Sequence, residues 1–370
     1  MTYKFVPPYI KDITPYPPGK PIEEVERELG IKNSVKIASN ENPLGTSPRA
    51  IKAIHKALRT LNRYPDGSAF YLKNALSALH RVPPESLIIG NGSNELIELI
   101  IRTFIQPGDE AVISDPSFLI YSITVKAAGG KSVIVRLRDD YSYDIKGVLR
   151  AVTKRTRLIF ISNPNNPTGT IIGKKEYAWL LGNIPPHVIV IDDAAYREFV
   201  QSADYPDGID ELRGKDRNLI VLRTFSKLYG LAGLRIGYGV TTGELAGYID
   251  RVRQPFNVNT LAQTAAIAAL GDRVFVNKTL ANNREGLRYL YRALEHMNIP
   301  FIRTQTNFFI LRVAPFLSGR QAFDALLRKG VIVRDMTSYG LGDYIRINVG
   351  TPSENRKFIR ELGALLKARL

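Results

Sequence analysis

Short apolar runs alternate with amphipathic stretches along the middle of this chain, from about residue 86 to residue 240. The short runs are typical of buried strands, and the stretches between them, such as Asn94–Gln106 and Lys174–Leu181, repeat with a helical period. Strands that alternate with helices predict a mostly parallel sheet covered by helices on both faces. The predicted strands are Ser86–Gly90, Glu110–Ser114, Lys131–Leu137, Arg157–Ser162, His187–Asp192, Asn218–Arg223 and Leu234–Val240.

The pattern changes after residue 260, where it predicts a smaller α/β domain. Thr351, Pro352 and Glu354 occupy the N-cap, first and third positions of a final helix, which predicts a capping box. The other predicted elements are a long helical region over Leu261–His296, a segment Phe301–Val313, a helix over Gly319–Lys329, and strands at Val331–Asp335 and Tyr344–Val349.

Proline dominates the first part of the chain, so residues 1–34 are predicted to form an extended, irregular arm. A first helix is predicted with Ser47 as its N-cap and Pro48 at its first position. We therefore predict an N-terminal arm at residues 1–34, a large domain at residues 35–260 and a small C-terminal domain at residues 261–370.

The composition limits the classes of function. The formal net charge of the 370 residues is +16 at pH 7, but the basic residues are scattered among 35 acidic ones and no nucleic-acid motif is visible. We interpret the charge as an attraction for anionic metabolites, with a DNA-binding or regulatory protein as the alternative. No membrane partner is expected, because no apolar run is long enough to cross a bilayer. No nucleic-acid partner is expected, because the basic residues are scattered.

The chain contains no cysteine, so neither disulfides nor thiolate metal sites are expected. The N-terminus carries no secretory signal pattern, and together these features favour a cytoplasmic location. The four histidines show no spacing that suits metal ligands, and no metal site is predicted.

A lysine follows one of the predicted strands. Thr224-Phe-Ser226-Lys227 comes directly after the strand Asn218–Arg223, and Arg235 follows after a glycine-rich run. The amine can form an imine with an aldehyde cofactor, while Thr224, Ser226 and Arg235 can hold a dianionic phosphate. The alternative for an isolated Ser-Lys pair is a solvated loop lysine, so the rest of the chain has to decide.

Two aspartates end another strand. Pyridoxal phosphate requires a carboxylate at its pyridine nitrogen, and Asp192 and Asp193 end the run that begins at Val188. Tyr196 follows at a spacing that lets its hydroxyl donate to the ring oxygen. The alternative is the magnesium-binding strand of an ATPase, but that needs a P-loop, and Val125 stands where its first glycine should be.

Two further strand ends offer a phosphate cradle and a stacking group. Ser93 and Asn94 lie between a strand and a helix, where free amides and the positive helix end bind anions. A plain strand-to-helix turn is the alternative, and Glu95 excludes the dinucleotide-binding fingerprint. Phe118 follows Asp115-Pro-Ser and can lie over a ring, although a core phenylalanine is the alternative.

A rigid turn and two arginines complete the set. Asn166 lies in the run Asn163–Gly169, whose prolines and glycine predict a turn that directs its amide towards a ring hydroxyl and substrate. Arg346 lies inside an apolar strand and Arg334 on the strand before it. Both suit capture of a carboxylate or phosphate, with a surface ion pair as the alternative for either one alone.

In combination these residues resemble the fold type I pyridoxal-phosphate enzymes of the aspartate-aminotransferase type, and among them the class II histidinol-phosphate aminotransferases. The resemblance spans nearly the whole chain. It rests on Asn166-Pro-Thr-Gly, Asp193-x-x-Tyr196, Ser226-Lys227 with Arg235, Arg346, Thr14-Pro-Tyr16, Ser39-Asn-Glu-Asn-Pro-Leu-Gly45, Arg63-Tyr64-Pro-Asp66, Arg223-Thr-Phe-Ser-Lys227, Gly230-Leu-Ala-Gly-Leu-Arg-Ile-Gly237 and Val349-Gly-Thr351.

The resemblance implies a homodimer with active sites at the subunit interface and small-molecule substrates. It implies that Tyr64 reaches the cofactor phosphate of the partner and that Tyr16 closes over the substrate. Lys227 would hold the cofactor and move the proton between substrate carbon and cofactor. Arg346, assisted by Arg334, would take the α-carboxylate of glutamate or the phosphate of histidinol phosphate.

Three positions depart from the pattern that the resemblance implies. Ala194 stands where an acidic residue commonly follows the pyridine-binding aspartate, and we choose Asp193 over Asp192 because it keeps the Asp-x-x-Tyr spacing. Phe118 stands where tyrosine is frequent, which removes a hydroxyl from the substrate side. Asn94 stands where an acidic residue is frequent, so only its backbone N–H is expected to matter.

The leading hypothesis is transamination between L-histidinol phosphate and 2-oxoglutarate, which yields imidazole-acetol phosphate and glutamate in histidine biosynthesis. An aromatic-amino-acid aminotransferase for phenylalanine or tyrosine is one alternative, since imidazole and phenyl rings need similar apolar pockets. A threonine-phosphate decarboxylase is the other.

Overall fold

The computed structural model describes residues 5–367. The first four positions of the predicted arm and the last three of the predicted small domain lie outside the described residues. Short 3-10 turns occur at Leu58–Thr60, Pro84–Ser86, Arg197–Phe199, Ala232–Leu234 and Thr337–Tyr339. The helices are α1 (Pro8–Lys11), α2 (Ile22–Leu29), α3 (Pro48–Ala57), α4 (Phe70–His80), α5 (Ser93–Phe104), α6 (Ile120–Ala127), α7 (Ile145–Arg150), α8 (Lys174–Asn183), α9 (Gly243–Val252), α10 (Thr260–Leu270), α11 (Arg273–His296), α12 (Gly319–Arg328) and α13 (Pro352–Lys367). The strands are β1 (Val35–Lys36), β2 (Leu87–Gly90), β3 (Glu110–Asp115), β4 (Lys131–Arg136), β5 (Thr156–Ser162), β6 (Ile189–Asp193), β7 (Leu219–Thr224), β8 (Gly237–Val240), β9 (Phe308–Arg312), β10 (Val331–Ile332), β11 (Arg334–Asp335) and β12 (Tyr344–Asn348).

A sheet of seven strands in the order β2-β8-β7-β6-β5-β3-β4 forms the centre of the larger part. The prediction of a mostly parallel sheet is confirmed, with β8 antiparallel to both of its neighbours. Because β2 and β7 are both antiparallel to β8, they run in the same direction as each other. The carboxyl ends of β2, β3, β5, β6 and β7 therefore meet at one edge, where ligands bind in sheets of this kind.

Both faces of the inner strands are buried, and on β5, β6 and β7 alternate side chains belong to different cores. On β6, Val190 packs in the core that includes α3, α4, α8 and α10, while Ile189 and Ile191 pack against α5, α6 and α9. The same alternation continues to the end of the strand. It places Asp192 on the first face and Asp193 on the second.

The smaller part is a three-stranded antiparallel sheet, β11-β12-β9, packed against α11, α12 and α13. Its core also includes Ile37, and β1 pairs in parallel with β10, so the chain after α2 joins this part. The alanines of α10, in contrast, pack in the core of the larger part. The domain limits named above stay predictions.

Several local predictions differ from the structure. The irregular arm is wrong for residues 8–11, which form α1, and for residues 22–29, because α2 buries Val25 against Ala38 and Ile332 and ends at Gly30 with φ of 64°. The strand predicted at Val331–Asp335 divides into β10 and β11, which belong to different sheets. The long helical region divides into α10 and α11 at Gly271, because the Asp272 side chain caps the second helix. The strand predicted from residue 234 begins only at Gly237, since Arg235 has φ of 56°.

Two helix starts are confirmed. The Ser47 hydroxyl accepts a hydrogen bond from the Ala50 amide, with Pro48 at the first helical position of α3. At α13, the Thr351 amide donates to the Glu354 carboxylate at 2.6 Å, and the Glu354 amide donates back to the Thr351 hydroxyl at 3.4 Å. Short-range side-chain geometry sets these boundaries, which explains why local sequence was sufficient.

We expect Asp272→Ala to lower the free energy of unfolding by about 1–2 kcal/mol, as loss of an N-cap does. Asp272 accepts hydrogen bonds from the Phe275 amide and from the Ser47 hydroxyl, at 3.2 and 2.6 Å. Urea unfolding measures the effect. The control is Asp324→Ala, which removes an exposed pair with Arg320 and should cost less than about 0.5 kcal/mol.

The difference in free energy of unfolding between wild type and Asp272→Ala should depend on pH. The hydrogen bond from Ser47 holds the pKa of Asp272 below its usual value. The stabilisation is therefore present above the pKa of the unfolded chain and is lost as the pH falls through the lower pKa of the folded protein. A gap between wild type and variant that stays constant into acid would contradict the assignment.

Candidate active site

A cleft of about 390 Å³ lies at the carboxyl edge of the seven-stranded sheet, between the two parts of the molecule. The structure brings every predicted site residue except Tyr64 into its lining. The predicted residues that line it are Tyr16, Ser93, Asn94, Phe118, Asn166, Asp193, Tyr196, Thr224, Ser226, Lys227, Arg235, Arg334 and Arg346.

Lys227 lies just beyond the end of β7, and its Nζ donates to the Ser39 carbonyl oxygen at 3.2 Å. The ammonium group also lies 5.8 Å from the centre of the Tyr196 ring. Burial, together with the charge of Arg346, lowers the pKa of Lys227 to about 8. About a tenth of this amine is therefore neutral, and hence nucleophilic, at pH 7, far more than for an exposed lysine.

Asp193, and not Asp192, reaches the cleft. Both carboxyl groups are buried, and burial raises the pKa of each. Asp193 accepts a hydrogen bond from the Tyr121 hydroxyl at 2.7 Å and lies on the cleft side. Asp192 accepts from the Tyr177 hydroxyl at 2.7 Å on the other face of β6. Strand alternation therefore separates two adjacent carboxylates that have the same chemistry.

Amide and hydroxyl groups converge next to Lys227. The Tyr196 hydroxyl accepts a hydrogen bond from the side-chain amide of Asn40 at 2.9 Å. The Asn166 side-chain oxygen accepts from Arg346. Asn166 is held by a turn in which the neighbouring Asn165 binds the Pro116 carbonyl oxygen and the Ser117 hydroxyl. These hydroxyl and amide groups can donate to an oxygen on a ring bound beside Lys227.

An anion cradle occupies the other end of the cleft. Ser93 is the first residue of α5, and the preceding Gly92 has φ of 83°. A Cβ atom at Gly92 would collide with the Arg235 guanidinium, so glycine is what lets that cation approach the start of the helix. Arg235 also donates to the Ser226 hydroxyl at 3.3 Å. Helix amides, a hydroxyl and a guanidinium form a site for a phosphate group.

Arg334 and Arg346 face each other directly across the antiparallel pair β11 and β12. Their exposed fractions are 8% and 4%, and neither forms a salt bridge with an acid within residues 5–367. Arg334 donates to the Pro17 carbonyl oxygen at 2.8 Å and Arg346 to the Ala38 carbonyl oxygen at 3.1 Å. Like charges opposite each other are destabilising and buried charges need partners, so this pair favours an anionic ligand.

Phe118 and Tyr16 form an aromatic wall over the cleft, with their ring centres 6.4 Å apart in an edge-on arrangement. Tyr64, in contrast, is 83% exposed and stacks on Phe256 at 4.8 Å, away from this cleft. Its predicted role, which concerns the cofactor phosphate of a partner subunit, stays a prediction.

Sequence reasoning did not select three residues that the structure places at the site. Ser39 and Asn40 contact Lys227 and Tyr196, and Tyr121 contacts Asp193. The polar run from Ser39 to Asn42 was a signal for the first two. Tyr121 follows Phe118 by three positions, a spacing that could have placed the two rings next to each other at the start of α6.

Comparisons with known proteins agree with this geometry. The family model described as aminotransferase class I and II matches residues 32–362. A histidinol-phosphate aminotransferase from Moorella thermoacetica is 46% identical over 357 residues, which cover 96% of this chain and 92% of that protein. The chain therefore belongs to the class I and II aminotransferases.

Solved structures have the same fold. The histidinol-phosphate aminotransferase of Sinorhizobium meliloti, in complex with pyridoxal-5'-phosphate, has a TM-score of 0.90 and 28% identity, with 99% of this chain and 98% of that chain covered. The aspartate aminotransferase of Thermus thermophilus with maleate has a TM-score of 0.84 at 22% identity, with 97% and 99% covered. The second likeness concerns the fold alone.

Within residues 5–367 no helix has the length and apolar character to cross a membrane.

We expect inorganic phosphate to bind the ligand-free protein at the cradle, as measured by calorimetric titration. Arg235→Gln should weaken phosphate binding at the cradle about tenfold or more, because it removes a charged donor. The control is Arg213→Gln, whose partly exposed guanidinium donates to the His80 carbonyl oxygen away from the cleft. Equal phosphate affinity in Arg235→Gln and wild type would refute this use of the cradle.

Proposed function

We propose that this chain is a pyridoxal-phosphate-dependent aminotransferase that moves the amino group of L-histidinol phosphate to 2-oxoglutarate, a step in histidine biosynthesis. The products are imidazole-acetol phosphate and glutamate. The observation that carries the choice of substrate is the buried pair Arg334 and Arg346, which lies in the cleft without an acidic partner among residues 5–367.

The residues of the cleft fit pyridoxal phosphate. Lys227 offers an amine with a lowered pKa, and Asp193 offers a buried carboxylate on the same side of the sheet. The start of α5, with Ser226 and Arg235, suits the phosphate group. A Cβ atom at Gly237 would collide with the Ser93 amide, so the glycine keeps that donor accessible.

Pyridoxal phosphate, when bound, supplies an aldehyde carbon that exchanges amino groups and a ring that accepts an electron pair. Asp193 would hold a proton at the pyridine nitrogen, and Phe118 would cover the ring. Tyr196 and Asn166 would donate to the ring oxygen. Lys227 Nζ would take a proton from the substrate carbon that carries the amino group, as a general base, and deliver it as a general acid to the cofactor carbon that receives the amino group.

The charges of the cleft support substrates that are anions. Four cations, Lys227, Arg235, Arg334 and Arg346, line it against two acids, Glu41 and Asp193. With Arg235 assigned to the cofactor phosphate, Arg334 and Arg346 remain for the substrate. The phosphate of histidinol phosphate and the α-carboxylate of glutamate occupy this pair in turn, so one site serves both halves of the reaction.

We also propose a homodimer. Tyr64 and Phe256 lie on a surface with several other exposed apolar side chains of α3, α4 and α10, and large apolar patches of this kind mark protein interfaces. The exposed fractions are 44% for Ile51, 59% for Phe70, 74% for Tyr71 and 37% for Ile267. Tyr64 then extends into the cleft of the partner. The cytoplasmic location stays a prediction.

The deciding experiment compares three amino donors in the half-reaction with purified holoenzyme. We expect the kcat/KM for L-histidinol phosphate to exceed those for phenylalanine and O-phosphothreonine by about tenfold or more. Phenylalanine offers the arginine pair a carboxylate of single charge where histidinol phosphate offers a phosphate dianion, and O-phosphothreonine has no ring. Loss of 2-oxoglutarate is measured in parallel. A preference for phenylalanine, or release of carbon dioxide from O-phosphothreonine, would reject the assignment in favour of one of those activities.

Lys227→Ala should lower kcat by about 100- to 10,000-fold or more, since it removes the general acid and base. It should also abolish the yellow absorbance of the bound cofactor. Lys215→Ala, which removes a surface lysine paired with Glu211, is the matched control. A yellow Lys227→Ala protein with normal turnover would show that another group carries the chemistry.

The rate at which added pyridoxal phosphate colours the cofactor-free protein should rise with pH, with its midpoint at about pH 8 and a plateau above about pH 9. The reason is that burial and Arg346 lower the pKa of Lys227 to about 8, so the amine becomes neutral there. Arg346→Gln removes one cause and should move the midpoint to higher pH. Stopped-flow absorbance measures the rate at each pH. An unchanged midpoint in Arg346→Gln would show that the charge of Arg346 does not lower the pKa of Lys227.

A further inference from the structure

Tyr121 connects two groups of the proposed site. It lies in the first turn of α6 with an exposed fraction of 0%, and its hydroxyl donates to Asp193 Oδ2 at 2.7 Å. Its ring stacks on Phe160 with centres 4.7 Å apart, and the Phe118 ring meets it edge-on at 5.6 Å. The Tyr121 side chain therefore contacts both the Asp193 carboxylate and the Phe118 ring, the two groups that are proposed to hold the cofactor ring.

We propose that Tyr121 is a positioning residue that keeps the Asp193 carboxylate ionised and oriented towards the bound cofactor. This role rests on the proposed function. It was not evident from sequence, because Tyr121 precedes Asp193 by 72 positions and lies on a different element.

The hydrogen bonds of Asp193 show why the carboxylate needs this donor. Within residues 5–367 the other donor to it is the Ala195 amide, which reaches Oδ1 at the longer distance of 3.3 Å. Tyr121 thus anchors Oδ2 and leaves Oδ1 as the less engaged oxygen. Without that anchor, a buried carboxylate would have one weak donor and would readily take up a proton instead.

The charges around Asp193 do not replace the Tyr121 hydroxyl. Burial raises the pKa of Asp193, and both the hydrogen bond from Tyr121 and the charge of Lys227 act against that rise. Lys227 loses its charge as its amine becomes neutral, whereas the Tyr121 donor remains over the whole working range of pH. The titratable groups that interact electrostatically with Asp193 are Tyr121, Tyr143, Tyr196 and Lys227 around it and Asp192 on the other face of β6.

The chain contains a matched control for this contact. Tyr177 donates to Asp192 at the same distance of 2.7 Å, and both groups are buried. The two aspartates are neighbours on β6 but point to opposite faces. Loss of either hydroxyl should therefore have a similar effect on folding, while only Tyr121 donates to a carboxylate that lines the cleft.

The experiment compares Tyr121→Phe and Tyr177→Phe in the full-length protein. The dissociation constant for pyridoxal phosphate is measured by absorbance after removal of the cofactor, from about pH 5 to about pH 9. Tyr121→Phe should bind the cofactor about tenfold or more weakly at neutral pH, as expected for loss of a hydrogen bond to a charged group. The acid limb of its binding curve should move to higher pH. Tyr177→Phe should stay within about threefold of wild type, because its partner does not touch the cofactor.

Several outcomes would overturn the role. It fails if Tyr121→Phe binds the cofactor as tightly as wild type with an unshifted acid limb, or if Tyr177→Phe changes both quantities equally. Should Tyr121→Phe unfold, Tyr121→His retains a ring donor, and the role predicts that it binds the cofactor more tightly than Tyr121→Leu.

Failure of the proposed function gives a different result. A wild-type protein that does not bind pyridoxal phosphate removes both proposals before any variant is compared. A wild-type protein that binds the cofactor but does not use histidinol phosphate removes the substrate assignment, while the comparison of Tyr121→Phe with Tyr177→Phe remains decisive for Tyr121.

Discussion

Parallel strands of one sheet end at the same edge, and the site depends on that constraint. Inside β5, β6 and β7 the backbone groups pair with neighbouring strands, and alternate side chains enter two apolar cores. The polar side chains of the site are therefore concentrated at the last residues of these strands and just after them. Asn166, Asp193 and Lys227, which are far apart in the sequence, meet in one cleft for this reason.

Electrostatics explains how this edge becomes reactive. Cations are concentrated in the cleft, and two of them, Arg334 and Arg346, are buried opposite each other. Such an arrangement is costly in the absence of an anion, and the free energy recovered on binding favours phosphate and carboxylate groups. The same positive field helps to lower the pKa of Lys227. Anion recognition and amine activation therefore have a common physical origin.

The site also depends on the contact between the two parts of the molecule. The Asn40 amide donates to the Asn348 side chain at 3.1 Å, and the Asn307 side chain donates to the Asn40 carbonyl oxygen at 3.1 Å. The side-chain amide of Asn40 donates to the hydroxyl of Tyr196, which follows β6 of the large sheet. With φ of 56° at Asn40, this short segment turns between both parts and holds them around the cleft.

Much of the site could be predicted from the sequence, because each predicted residue lies in a short run that a strand end or a turn positions locally. Strand periodicity, the run around Lys227 and the cap at Ser47 are of this kind, and the alternation along β6 separates Asp193 from Asp192. The contact of Tyr121 with Asp193, the facing of Arg334 and Arg346, and the packing of α2 join residues that are distant along the chain. Local sequence encodes periodicity and turn chemistry, but which distant side chains meet is decided only when the sheet assembles and buries them together.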